Sequence, residues 1–131
     1  MTGGDCPFCY PEPERVAFED RWVRAVWDAF PVNPGHLLLT PRRHVPTWFE
    51  ASEPERAALV AAVDRAREAI TKLHAPDGFN IGINVGQAAG QTVFHLHVHV
   101  IPRYNGDVPD PRGGVRHVVP ARGTTLRHPN V

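Results

Sequence analysis

At 131 residues the chain fits one compact domain that can bury a core without disulfides. Its 14 basic and 14 acidic residues cancel, which argues against recruitment to nucleic acid or a membrane surface by net charge. No apolar run approaches the ~20 residues of a membrane-spanning helix, and Met1 to Asp5 lacks the charged and apolar parts of a signal peptide. A cytoplasmic protein is therefore expected.

Both cysteines fall in Cys6-Pro7-Phe8-Cys9. In a reducing compartment such a pair suggests metal or redox chemistry more than a structural disulfide. Arg15 to Glu19 and Trp22 to Asp28 follow as two short strands rich in β-branched and aromatic residues. Trp27, beside Asp28, is a core residue or part of a ligand pocket. Pro31 to Gly35 is a turn cluster, and His36 to Thr40 is an apolar run closed by Pro41, consistent with a strand buried on both faces.

Ser52-Glu53-Pro54-Glu55 has the form of a helix capping box. Leu59, Ala62, Val63, Ala66, Ile70 and Leu73 then recur at helical steps, predicting one amphipathic helix of about five turns. Pro76-Asp77-Gly78 stops it. Phe79, Ile81, Ile83 and Val85 alternate as a half-buried strand, and a loop from Gly86 to Gly90 leads to a last strand over Val93 to Ile101. Beyond Pro102 the chain reads as irregular, and the last ten residues are expected to lack fixed structure. The order ββ-β-α-β-β predicts an α+β domain, an antiparallel sheet with one long helix packed on it.

Histidine is the compositional outlier, and His95-Leu96-His97-Val98-His99 carries most of the information. In a strand His95, His97 and His99 share one face while Leu96, Val98 and Val100 share the other. Neighbouring imidazoles would lie ~6.6 Å apart and the outer two ~13 Å, so two of them could touch one ligand. Three explanations compete at this point: a row of solvated imidazoles, a His-x-His catalytic metal site, or phosphate chemistry. The flanks favour the last. Asn84, the small-residue loop Gly86-Gln87-Ala88-Ala89-Gly90, and Gln91-Thr92 offer backbone, amide and hydroxyl donors to a phosphate. Imidazole is a competent nucleophile near neutral pH because much of it is unprotonated.

The segment His95 to Ile101 resembles the histidine-triad signature of the HIT superfamily, and Gly90-Gln91-Thr92-Val93 matches what precedes that signature. Upstream, Asp28 and Pro34 to Val45 resemble the family's other recurrent block. Ile101 to Asp107 is similar to the zinc-containing branch that includes diadenosine polyphosphate hydrolases. The resemblance implies a HIT-like domain over residues 1–115 with a partly flexible tail over 116–131, and a homodimer that joins two sheets. It also implies a purine nucleotide substrate with no nucleic-acid or membrane partner, and no organic cofactor.

By the same resemblance His97 is the nucleophile that attacks the α-phosphate. His99 contacts the phosphate or the leaving-group oxygen, Gln91 and Thr92 hold phosphate oxygens, and Val93 belongs to the substrate-binding set. Asp28 accepts from the ribose hydroxyls, and Asn84 lies near ribose and phosphate. His36 sits behind the triad, either as part of the catalytic set or as a buried structural histidine. Dinucleoside polyphosphate hydrolysis is the activity implied, with phosphoramidase, nucleotidylyl transferase or phosphorylase, and a non-catalytic nucleotide binder as alternatives. Finally, relatives that carry a cysteine pair bind zinc through it plus two histidines, which here are His44 and His95. Cys6, Cys9, His44 and His95 would then close a structural tetrahedral site.

Overall fold

Five antiparallel strands form one sheet in the computed structural model, which describes residues 3–123. They are β1 (Val16–Glu19), β2 (Val23–Trp27), β3 (Leu37–Pro41), β4 (Gly78–Gly82) and β5 (Val98–Arg103), in the spatial order β1-β2-β3-β5-β4. β3 lies at the centre and is buried along its whole length, as its unbroken apolar run predicted. Pro41 closes the strand from inside it. One helix, α1 (Glu53–Thr71), packs across β2, β3 and β5.

Alternation along the strands splits the sheet into two chemically different faces. Leu37, Leu39, Val98 and Val100 meet Leu59, Ala62, Ala66 and Ile70 of α1 in the main core. On the opposite face Leu38 and Val26 are covered by Cys6 and Phe8 of the N-terminal segment. Leu38 pairs with His99 in the β3–β5 ladder, so His99 belongs to this second face. The predicted capping box is present: Glu55 N–H donates to Ser52 Oγ at 3.2 Å, and Ser52 N–H donates back to the Glu55 carboxylate at 2.9 Å. Gly35 opens β3 at φ +88°, where a Cβ would also lie 2.8 Å from the His74 ring. Both conformation and space demand glycine there.

Three elements differ from their sequence expectations. Leu73 falls past the end of α1 and is exposed, so the apolar stripe ends at Ile70. β4 begins at Gly78, within the expected stop, and ends at Gly82 short of Val85. The largest difference is at the last strand, which begins at Val98 and not at Val93. Upstream of it the backbone leaves the ladder, and Leu96 N–H donates instead to the Val45 carbonyl at 2.7 Å. Beyond β5 two short helical segments, Gly114–Val118 and Pro120–Gly123, interrupt the expected irregular run. Most of the last ten residues lie outside the described region. No helix among the described residues is long and apolar enough to cross a membrane.

Candidate active site and metal centre

Because only His99 sits on the ladder, the three histidines point to different partners. His95 is fully buried beneath the N-terminal segment. His97 and His99 open onto a cleft of about 370 Å³ together with Asp28, Asn84, Gly90, Thr92 and Val93. The ring centroids of His97 and His99 are 5.0 Å apart.

Hydrogen bonds fix which nitrogen of each ring is available. His97 Nδ1–H donates to the His95 backbone carbonyl at 2.8 Å, which leaves Nε2 with a free lone pair. His36 Nδ1 accepts from Val32 N–H at 3.2 Å, so its proton is on Nε2. That Nε2–H donates to His99 Nδ1 at 3.0 Å and lies 3.4 Å from Asp28 Oδ2. His99 Nδ1 is thereby an acceptor, and its proton is on Nε2. The other Asp28 oxygen accepts from Phe30 N–H at 2.8 Å.

Burial keeps these rings neutral. Desolvation pushes His99 down to about 4, helped by the neighbouring His97 and His36 and opposed by the Asp28 carboxylate. Desolvation also lowers His97, against its hydrogen bond to the His95 carbonyl and the attraction of Asp28. His36 is lowered for the same first reason. A neutral imidazole with one nitrogen pinned and the other free can act as a nucleophile at neutral pH.

Cys6, Cys9, His44 and His95 come together from three separate parts of the chain, with all four ligand atoms within 4.8 Å of one another. Cys6 Sγ to His95 Nδ1 is 3.3 Å, Cys9 Sγ to His44 Nδ1 is 3.2 Å, and the two Nδ1 atoms are 3.2 Å apart. Tetrahedral zinc with ordinary Zn–S and Zn–N bonds would space its ligands by ~3.3–3.8 Å, so the donor set fits that ion. His95 Nε2–H donates to the Pro41 carbonyl at 2.8 Å, which turns its Nδ1 lone pair toward the cluster. Arg24 holds the cysteine loop from behind, donating to the carbonyls of Phe8 and Cys9. Burial and the neighbouring Cys6 push the Cys9 thiol up to about 11 in the absence of a cation.

The expected site residues are therefore distributed as follows. His97, His99, Asp28, Asn84, Thr92 and Val93 share the cleft. His36 lies behind His99. Gln91 is redirected: it is 3% exposed and its side chain is committed to protein partners. Its amide donates to the carbonyls of Pro46 and Val93 and accepts from Gly86 N–H, so it stitches the loop and has no donor left for a phosphate. Trp27 turns to the helix side of the sheet, beside Glu68 and Lys72, and takes no part in the cleft. Phe8, Arg15 and Phe30 line the cleft and were not anticipated. Phe8 had a usable signal, since it lies between two candidate ligands. So did Phe30, an apolar residue in a turn just after Asp28. Arg15 had none.

Comparison with known proteins identifies the family of the chain. The HIT domain family matches residues 11–106. The chain is 38% identical over 104 residues to an AP-4-A phosphorylase of Mycobacterium tuberculosis, covering 79% of this chain and 53% of the relative. It is 36% identical over 98 residues to the asymmetrical bis(5'-nucleosyl)-tetraphosphatase of Schizosaccharomyces pombe, covering 75% of this chain and 54% of that protein. The chain thus spans about half the length of these relatives. The crystal structure of a Zn-bound histidine triad family protein from Mycobacterium smegmatis superposes with a TM-score of 0.71 at 36% identity, covering 92% of this chain and 94% of that one. Fold and sequence agree: the chain belongs to the HIT domain family.

Proposed function

We propose that this protein cleaves a purine nucleotide at its α-phosphate through a nucleotidyl intermediate on His97, with a dinucleoside polyphosphate as substrate. The observation that carries the proposal is the His97 ring, held through Nδ1 by the His95 carbonyl at 2.8 Å with Nε2 free in the cleft. In the first step the Nε2 lone pair forms a bond to the α-phosphorus while the bond to the leaving-group oxygen breaks. Asp28 favours the positive charge that His97 acquires. His99 Nε2–H donates a hydrogen bond to the departing oxygen. Water then attacks phosphorus, the P–N bond breaks, and the water's proton leaves with solvent. Asp28 also accepts from the ribose hydroxyls, while Asn84, Thr92 and Val93 border the phosphate.

The name of the mycobacterial relative supports a second outcome for the same intermediate, resolution by phosphate. The catalytic unit is residues 1–115, with 116–131 as a tail, working in a homodimer. Dimer formation is supported by β4 at the sheet edge, where Ile81 is 47% exposed, and sedimentation would test it. Turnover of diadenosine tetraphosphate, with and without added phosphate, tests the function. AMP plus ATP identifies hydrolysis, and ADP plus ATP identifies phosphorolysis. An adenosine phosphoramidate run in parallel tests the other leaving group. Turnover of none of these by wild type would leave a nucleotide-binding protein.

A further inference from the structure

Phe8 stands between the two cysteines, yet its ring faces the proposed nucleophile. Its centroid lies 4.9 Å from that of His97 with the planes at 53°, and 5.9 Å from His95, edge-on. The residue is buried and forms part of the cleft wall. A second link runs through the backbone, because the carbonyl that accepts from His97 Nδ1–H belongs to His95, itself one of the four clustered donors. The cluster thus reaches the same imidazole by two routes, the His95 carbonyl and the Phe8 ring on the loop between its cysteines.

We propose that Phe8 is a positioning residue for His97, through which the cysteine–histidine cluster sets the ring for attack on phosphorus. This rests on the assignment of His97 as nucleophile. One hydrogen bond at Nδ1 leaves an imidazole free to swing about its broad terminal torsion. The Phe8 ring blocks that swing on one side, and the loop that presents Phe8 is pinned at both ends by cluster residues. Nucleophilic attack depends steeply on such alignment, since a 1 Å misplacement can cost ~100-fold.

The test compares Phe8→Leu and Phe8→Tyr in zinc-loaded protein, with metal content and cooperative melting checked first. Ring ¹⁵N NMR at one neutral pH, without nucleotide, reads the His97 tautomer. Steady-state turnover of diadenosine tetraphosphate gives kcat and KM. Phe8→Leu should mix the His97 tautomers and lower kcat more than about tenfold while KM stays within about threefold. Phe8→Tyr should retain the single Nδ1–H tautomer and most of kcat. A raised KM with unchanged kcat would make Phe8 merely a wall of the cleft and overturn the proposal, as would unchanged His97 resonances in Phe8→Leu. Should Phe8→Leu lose its metal or its cooperative melt, Phe8→Met, which removes the flat face and keeps the bulk, carries the same comparison. The NMR arm needs no turnover. An inactive wild type would defeat the functional assignment and leave the positioning claim to be decided by the spectra.

Discussion

His36 Nε2 lies 3.0 Å from His99 Nδ1, and this contact decides which nitrogen of His99 faces the cleft. Val32 N–H fixes the His36 tautomer, and His36 in turn fixes that of His99. In the proposed mechanism this buried histidine, which does not line the cleft, would act on the chemistry through its neighbour. His36→Ala should lower kcat by about tenfold to a hundredfold, less than the loss expected when a proton-transfer group is removed outright. Metal content should not change. Wild-type kcat in this variant would show that His99 needs no such lock.

Metal removal should act first on stability. Cys6 and His95 are buried, and the four donors tie the N-terminal segment to the chain just before β5. Cys6→Ser should reduce zinc to well below one ion per chain, with a fall in Tm on the order of 10 °C. Atomic absorption and a thermal melt read the two effects. A zinc-free variant with the wild-type Tm would remove the structural role from the cluster.

Stability should also fall on mild acidification. His99 is held near 4 by burial, below the usual 6.5. The unfolded chain therefore binds more protons between those values, and stability is lost as pH drops from about 6.5 toward 4. His36 and His97 shift in the same direction and add to the slope. Urea midpoints between pH 7 and 4.5 measure it, and His99→Gln should make the dependence shallower. A midpoint that stays flat over this range would mean that the rings are not buried neutral.

At the start of α1, Glu55 closes the capping box and accepts two bonds from Arg43, at 2.8 and 3.0 Å. Arg43 beside it is the first reason that its carboxyl is held down to about 2 from 4.5. Its contribution is present above pH 4.5 and is lost as pH falls toward 2, where the carboxyl protonates. At neutral pH Glu55→Ala should cost about 1–2 kcal/mol, mainly through the cap. Chemical denaturation checks this, and a change within experimental error would make the box ornamental.

The parts of this molecule that obey local rules were readable from the residues alone. Ser52 and Glu55 announce the helix start, and the run from Leu37 to Leu39 announces a central strand, because capping and burial are written in consecutive residues. Cys6, Cys9, His44 and His95 could be assembled only by resemblance, since 86 positions separate Cys9 from His95 in a contact of 3.5 Å. The alternation of His95, His97 and His99 misled in one respect. It implies a continuous strand, whereas the bond from Leu96 to Val45 draws the backbone off the ladder and sends His95 to the metal cluster. Gln91 misled similarly, because an amide beside a small-residue loop looks like a phosphate ligand until its three internal partners are seen. The paired bonds from Arg103 to Asp107, which also accepts from Asn33, depend on the tertiary turn and have no local signature in the residues.

Intact-protein mass spectrometry after brief mixing with diadenosine tetraphosphate, quenched at high pH to preserve a phosphoramidate bond, tests nucleophilic catalysis most directly. Wild type should carry the mass of one AMP, and His97→Ala should carry none. The same adduct on His97→Ala, or rapid turnover by that variant, would contradict a nucleotidyl intermediate on His97.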